Sequence, residues 1–203
     1  MTGPRAAAET TAETTGEGRD ALGRLLLFGL LTAAIVLADQ LTKAVVDSSF
    51  GLSSPSPFAP GEPIVPPTPI LGGFLQVAKT YNSGAIFGLL QSTATVFALG
   101  TLVVAAAIVW YEVTRGWRGP LLLTIALGFL LGGAIGNLID RLRVGYVIDF
   151  ADMGIGSVRW YSFNVADASV SIAIVLIAVV GLFGGWLERR GSEPPAAPRG
   201  AAG

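Results

Sequence analysis

Residues 163–186, FNVADASVSIAIVLIAVVGLFGGW, decide the fold, because a long apolar run begins there directly behind an acidic residue. At about 1.5 Å of rise per residue, a helix of this length crosses a hydrocarbon core of about 30 Å. Asp167 lies three residues after Asn164, which resembles a helix N-cap followed by an acid in the first turn. An ionisable residue beside hydrocarbon is costly, so Asp167 is by default a candidate for a functional site.

Three further apolar runs precede this one, and the four together predict transmembrane helices at about 24–46, 93–111, 120–141 and 165–187. The composition agrees, because 13% of the residues are charged, whereas soluble proteins carry about 25%. The expected fold class is an all-α membrane protein. Residues 23–188 form its membrane domain, and the segments 1–22 and 189–203 are expected to be disordered cytoplasmic tails.

Two segments between the predicted helices favour β-strands. A proline-rich stretch leads into β-formers at 74–81, and residues 142–163 mix glycines with β-branched and aromatic residues. Open sheet edges are not tolerated in lipid, so these strands must lie at the interface or against protein. Basic residues are more frequent in both tails and in the loop after the second helix, which predicts cytoplasmic termini. A small β-sheet, or cradle, is therefore expected on the extracytoplasmic side.

This topology brings four acids to the extracytoplasmic side: Asp39, Asp140, Asp149 and Asp167. If Asp149 lies against Asp167, their like charges force the pair to share one proton. One ionised carboxylate and one protonated carboxyl are what an aspartyl dyad needs to activate water. The residues leave open which aspartate holds the proton. They also leave Asp140 as an alternative partner for Asp167.

The chain contains no histidine and no cysteine. Their absence excludes Ser-His and Cys-His nucleophiles, disulfides and the commonest ligand of catalytic zinc. A net charge of −1 provides no basic field to attract nucleic acid, so that class of partner is excluded as well.

Several motifs carry both a structural and a functional interpretation. Asp39 and Lys43 lie one helical turn apart. They either neutralise each other as an ion pair or connect the outer end of the first helix to the site. Asn82 precedes Gly84 in YNSGAIF (81–87), which is typical of a turn, although the Asn82 amide could instead hold a peptide backbone.

A second set of polar residues ends the third apolar run. Small residues at 132–136 allow close helix packing, and Asn137, Asp140 and Arg141 then share one helical face. This face is either a structural network or a site in which Arg141 holds a carboxylate or a carbonyl group.

In this order, the motifs resemble the bacterial lipoprotein signal peptidase family, also called signal peptidase II. The resemblance covers about residues 24–187 and is carried by five blocks. They are DQLTK (39–43), NSGAIF (82–87), GGAIGNLIDR (132–141), VIDF (147–150) and FNVAD (163–167).

The resemblance implies a four-helix aspartic endopeptidase of the bacterial cytoplasmic (inner) membrane, with its active site at the extracytoplasmic interface. Such enzymes remove signal peptides from prolipoproteins just before a diacylglyceryl-modified cysteine. By motif position the catalytic residues are Asp149 and Asp167. The site-supporting or substrate-binding residues are Asp39, Lys43, Asn82, Gly84, Asn137, Asp140, Arg141 and Asn164. The implied partners are prolipoproteins, membrane lipids and globomycin-type inhibitors, with no metal or other cofactor.

Two rival hypotheses remain at this point. A Ser/Lys peptidase could use Ser83 and Lys79, but it would leave the acids unexplained. A four-span transporter or lipid-binding scaffold could use buried acids to carry protons or to brace helices. Transporters often contain inverted repeats, and the sequence shows no internal repeat.

Overall fold

The computed structural model describes residues 4–55, 61, 64–83 and 93–191 of the chain. Within these residues the helices are α1 (Pro4–Ser49), α2 (Thr93–Arg115), α3 (Leu121–Arg143) and α4 (Val165–Gly191). A short 3₁₀ turn, Gly116–Arg118, joins α2 to α3. The strands are β1 (Thr68–Leu71), β2 (Leu75–Asn82), β3 (Val147–Ile155) and β4 (Val158–Arg159).

Each of the four helices contains a stretch long and apolar enough to cross a membrane: Gly18–Ser49, Val96–Arg115, Leu121–Arg143 and Val165–Phe183. Large apolar side chains such as Leu30, Val103 and Val175 point outward along these spans and are exposed. In a soluble protein such a surface would be an aggregation hazard, whereas in a bilayer it faces lipid. The predicted fold class, four membrane helices with a small sheet, is confirmed.

The first helix begins much earlier than expected. A disordered tail was predicted for residues 1–22, but the structure continues α1 back to Pro4. The segment is rich in alanine and glutamate, which are strong helix formers, and proline is favoured in the first turn of a helix. At the other end α4 extends to Gly191. The predicted tail beyond residue 191 lies outside the described residues.

Helix α3 is the centre of the bundle and packs against α1, α2 and α4. Small residues make these close contacts possible. Gly132 lies against Ile35 of α1, and Gly133 lies against Ala166 and Ser169 of α4. Towards the end of the bundle that carries the 3₁₀ turn, the helices enclose a small core of four buried residues: Phe28, Ile108, Leu127 and Leu131.

The close approach of α3 to α4 predicts that Gly133→Ala destabilises the protein. The added Cβ would overlap the Ala166 carbonyl oxygen and the Ser169 hydroxyl, so the two helices must move apart. Overpacking of this kind costs about 1–3 kcal/mol. Unfolding in detergent would measure the effect, with Gly29→Ala as the matched control, because a Cβ at Gly29 of α1 meets no atom within 4 Å. Equal stabilities of the two variants would contradict this packing.

The four strands form one antiparallel sheet in the order β1-β2-β3-β4. In the central pair, Thr80 faces Asp149 and Asn82 faces Val147. The sheet lies at the end of the bundle where α1 ends and α4 begins. Lys79 of β2 fastens it there, because its Nζ lies 3.0 Å from an Asp47 carboxylate oxygen and 3.1 Å from the Asp47 carbonyl oxygen, in the last turn of α1.

Candidate active site

Asp149 is placed by β3 and held by two asparagine amides. Its Oδ2 accepts a hydrogen bond of 2.9 Å from Asn82 Nδ2 in the neighbouring strand β2. Its Oδ1 accepts one of 2.7 Å from Asn164 Nδ2, directly before α4. The Asp149 side chain is buried. The sheet register and the start of α4 together fix both carboxylate oxygens.

Asp167 lies in the first turn of α4 and is half-buried. Its Oδ2 accepts a hydrogen bond of 3.2 Å from the Asn164 backbone N–H, while Asn164 Oδ1 accepts one of 2.9 Å from the Asp167 N–H. This reciprocal arrangement is a capping box. The Asp167 carboxyl accepts a second hydrogen bond, of 2.7 Å, at Oδ1 from Asn137 Nδ2 of α3. Two N–H donors therefore hold the two Asp167 carboxyl oxygens at the start of α4.

Asn164 connects the two aspartates. It donates from its side chain to Asp149 and from its backbone to Asp167, and its side chain also donates to Asn137 Oδ1 at 3.1 Å. The side chain is 1% exposed, so these bonds form away from water. We call Asp149, Asp167, Asn82, Asn137 and Asn164 the dyad cluster.

The two carboxyl groups differ in electrostatic environment. Burial raises the pKa of Asp149 to about 7, and the negative charge of Asp167 adds to the rise. The hydrogen bonds from Asn82 and Asn164 and the positive charge of Lys43 oppose the rise without cancelling it. Asp149 therefore carries a proton over much of the range below neutrality.

Directly behind the dyad cluster lies a buried ion cluster formed by Asp39, Gln40, Lys43 and Asp140. Lys43 Nζ lies 2.8 Å from Asp39 Oδ2 and 2.8 Å from Asp140 Oδ2. The three charged side chains are at most 2% exposed. Gln40 Nε2 contacts both carboxylates, at 3.2 Å from Asp39 and 3.0 Å from Asp140.

The two carboxylates of the ion cluster also reach the segments that carry the dyad. Asp39 Oδ1 accepts a hydrogen bond of 3.0 Å from the backbone N–H of Ala166, next to Asp167. Asp140 Oδ2 accepts one of 3.2 Å from the backbone N–H of Ile148, next to Asp149. The ion cluster therefore sets where α4 begins and where β3 enters the site.

Arg141 adds a cation on the α2 side. Its guanidinium lies 5.8 Å from the centre of the Phe97 ring, and NH1 donates to the Asn137 carbonyl oxygen at 3.3 Å. The charges of Asp167, Asp149 and Asp140 all act on it. Its buried Nε has no hydrogen-bond partner among the described residues, so a donor remains available to a bound carbonyl or carboxylate group.

The structure brings nine of the ten residues selected from the sequence into these two adjoining clusters and their rim. The tenth, Gly84, lies outside the described residues. Sequence reasoning missed Gln40, although it stands between Asp39 and Lys43 in the first motif. A lone amide in an apolar helix was the available signal, because such a group must find a partner away from lipid.

The geometry argues against the Ser83–Lys79 alternative. Lys79 lies in β2 and Ser83 directly follows that strand, so four residues of extended chain separate their Cα atoms by about 13 Å. Burial alone would lower the pKa of Lys79, but the hydrogen bond and the charge of Asp47 outweigh burial and raise that pKa. A lysine held in its charged form cannot act as a general base.

Comparisons with known proteins agree with the site. Residues 31–183 match the family model described as signal peptidase (SPase) II. The lipoprotein signal peptidase of Syntrophus aciditrophicus is 33% identical over 76% of this chain and 91% of its own length. That of Moorella thermoacetica is 38% identical over 73% of this chain and 88% of its own length.

Solved structures extend the likeness to the fold. A bacterial membrane enzyme determined by the in meso method at 1.9 Å superimposes with a TM-score of 0.66 and 28% identity. The match covers 77% of this chain and 92% of that one. The fold and the matches together define a multi-pass membrane peptidase. The chain belongs to the signal peptidase II family, which confirms the resemblance seen in the sequence. This membership disfavours a transporter or a scaffold.

Proposed function

We propose that this protein is an aspartic endopeptidase which removes the signal peptide of diacylglyceryl-modified prolipoproteins just before the lipidated cysteine, with Asp149 and Asp167 as the catalytic pair. One observation carries the assignment. Asn164 donates hydrogen bonds to both carboxyl groups, so the two aspartates are held by one residue at the end of the bundle. The curated relatives, named lipoprotein signal peptidases, support the substrate class.

In the proposed mechanism Asp167 is the base and Asp149 is the acid. The Asp167 carboxylate takes a proton from water while the water oxygen attacks the scissile carbonyl carbon. Asp149 gives its proton to the carbonyl oxygen, forming a neutral tetrahedral diol. Asp167 then gives the proton that it took from water to the peptide nitrogen, while Asp149 takes a proton from a hydroxyl group of the diol. The C–N bond breaks, the carboxyl product and the amine of the lipidated cysteine leave, and both aspartates return to their starting protonation states. Each positioned proton transfer contributes typically about 10²–10⁴-fold to the rate.

The supporting residues have distinct proposed roles. Asn82, Asn137 and Asn164 orient the two carboxyl groups, whereas Asp39, Lys43 and Asp140 hold the segments that carry them. Arg141 binds a substrate carbonyl group. Gly84 is proposed as a further supporting or substrate-binding residue, from its place in the NSGAIF motif.

The proposed location is the bacterial inner membrane, with both termini cytoplasmic and the dyad at the extracytoplasmic interface. The distribution of arginines supports this orientation, because the start of α1, the end of α4 and the basic 3₁₀ turn lie at the end of the bundle away from the dyad. Bilayer lipids would hold the diacylglyceryl group beside the helices. Globomycin-type peptides would compete for the same site.

The substrate class is tested by comparing two forms of one prolipoprotein. The purified enzyme is expected to cleave the diacylglyceryl-modified form directly before its cysteine and to leave the unmodified form intact. Mass spectrometry of both products would locate the cut. Equal cleavage of the two forms would contradict recognition of the lipid.

The pH dependence of cleavage tests the assignment of Asp149 as the acid. Since only the protonated carboxyl can donate, kcat/KM should fall as the pH rises through about 7. Asn82→Ala removes a hydrogen bond that favours the charged form, so the pKa of Asp149 should rise and the alkaline limb should move to higher pH. Gln76→Ala is the matched control, because Gln76 lies in the same strand but bonds to Asp152. An alkaline limb that moves equally in both variants would assign the titration to another group.

A further inference from the structure

Lys43 is buried, and the catalytic step proposed above does not use it. Its Nζ contacts Asp39 and Asp140 at 2.8 Å each and Asn137 Oδ1 at 2.9 Å. An ammonium group has three N–H donors, and all three are engaged by these acceptors. With 2% exposure, Lys43 has neither a free hydrogen nor a path to the substrate. Whatever it contributes to the reaction must pass through one of its three partners.

Asn137 is the partner that touches the dyad. One side of its amide faces Lys43 through Oδ1, and the other side donates from Nδ2 to Asp167 Oδ1 at 2.7 Å. The oxygen and nitrogen of an asparagine amide are nearly the same size, so shape alone does not choose between the two orientations. The hydrogen-bonding groups around Asn137 determine the orientation of its amide instead.

The reversed amide would be strongly unfavourable beside Lys43. It would turn the NH2 group against an ammonium that has only donors, and it would turn the oxygen against the Asp167 carboxylate, which accepts. Asn164 reinforces the same choice, because its Nδ2 also donates to Asn137 Oδ1, at 3.1 Å. The charge on Lys43 makes its own bond the stronger of the two.

We infer that Lys43 is a positioning residue that acts on the dyad through Asn137, fixing the amide so that its N–H points at Asp167. This inference rests on the proposed function. The Asp39 and Asp140 carboxylates hold the ammonium in place, and Gln40 links these two carboxylates. The Lys43 charge in α1 thereby orients Asn137 of α3, and Asn137 in turn positions the Asp167 carboxylate of α4.

A double-mutant cycle in kcat tests the inference, using Lys43→Met, Asn137→Ala and the combined variant on a diacylated prolipoprotein. Misplacement of a group near the reacting atoms costs about 10²-fold, so each single change should lower kcat by about that factor with a smaller effect on KM. If Lys43 acts through Asn137, the combined variant should be no slower than Asn137→Ala alone. Independent sites would instead multiply to about 10⁴-fold.

Thr42→Val is the matched control, because in the described part of the chain the Thr42 hydroxyl bonds only to carbonyl groups of its own helix. It should leave kcat unchanged. If Lys43→Met does not fold, Lys43→Gln takes its place in the cycle, since the two N–H donors of a glutamine amide can serve the two buried carboxylates and leave none for Asn137. A Lys43 substitution that leaves kcat unchanged, or whose full effect persists after Asn137→Ala, overturns the inference.

The same four proteins can be compared by thermal unfolding, which requires no substrate. The loss in Tm of the combined variant should be smaller than the sum of the single losses, because both single changes break the same contact. A wild-type protein that cleaves no prolipoprotein would contradict the proposed function, and the unfolding cycle would still test the contact. If the wild type is active but the losses in kcat multiply, only the inference that Lys43 acts through Asn137 is contradicted.

Discussion

Asp149→Asn and Asp167→Asn, made separately, are each expected to abolish cleavage of a diacylated prolipoprotein while leaving the protein folded. An asparagine at position 149 cannot give a proton to the carbonyl oxygen, and one at position 167 cannot take a proton from water. General acid or base catalysis contributes typically about 10²–10⁴-fold. The two groups act as a unit, so either change should approach the loss of both, about 10⁴-fold or more in kcat.

The asparagine substitution nearly preserves shape, so the fold should survive. Relief of the repulsion between the two carboxyl groups should even offset part of the lost hydrogen bonding. The measurement is single-turnover cleavage, together with thermal unfolding in the same detergent. Asp152→Asn is the matched control, because Asp152 is a buried carboxylate of the same strand as Asp149. Among the described residues its carboxylate hydrogen-bonds to Arg159 and Gln76 and not to the dyad. Substantial activity in either dyad variant, or inactivity of Asp152→Asn, would contradict the assignment of Asp149 and Asp167 as the catalytic pair.

The membrane architecture could be predicted from sequence because it depends on sums over long windows. Each span needs only enough apolar residues in a row, so errors at single positions cancel. Helix ends depend on local detail and were harder to predict. The alanine- and glutamate-rich segment before residue 23 has a composition shared by flexible tails and by helices, and the structure places it in α1.

The contacts of the site required the three-dimensional structure. Asn82 meets Asp149 only because β2 and β3 pair in one register, which shifts between Val77 and Thr80. A one-residue slip would turn Asp149 to the opposite face of the sheet. Likewise, the bond from the Ala166 N–H to Asp39 joins residues far apart in the chain, and no local pattern encodes it. The motifs predicted candidate site residues, and the packing of α1, α3 and the sheet showed which of them touch.

Asp140 is the acid whose role the sequence left most open, because it lies close to Asp149 in the chain and at the same end of the bundle. In the structure its carboxylate contacts Lys43, Gln40 and the Ile148 N–H, and within the described part of the chain it makes no hydrogen bond to Asp149 or Asp167. We therefore expect Asp140→Asn to act mainly on stability.

Asp140→Asn should lower the free energy of unfolding by about 3 kcal/mol, at the lower end of the range of about 3–5 kcal/mol for breaking a buried ion pair. The lower end applies because Lys43 keeps Asp39 and Asn137 as partners. Folded Asp140→Asn enzyme should retain kcat within about tenfold of the wild type, since no proton of the reaction passes through Asp140. Denaturant unfolding and cleavage per folded molecule would measure the two effects separately.

Glu112→Gln is the matched control for the stability measurement. Glu112 is a buried carboxyl of α2 at the opposite end of the bundle, and neither of its oxygens has a hydrogen-bond partner among the described residues. Replacing it with glutamine breaks no ion pair, so the free energy of unfolding should be at least that of the wild type. If Asp140→Asn were instead stable and inactive while Asp149→Asn still cleaved, Asp140 would be the partner of Asp167. The hydrogen bonds of Asn82 and Asn164 to Asp149 would then serve only to attach the sheet to α4.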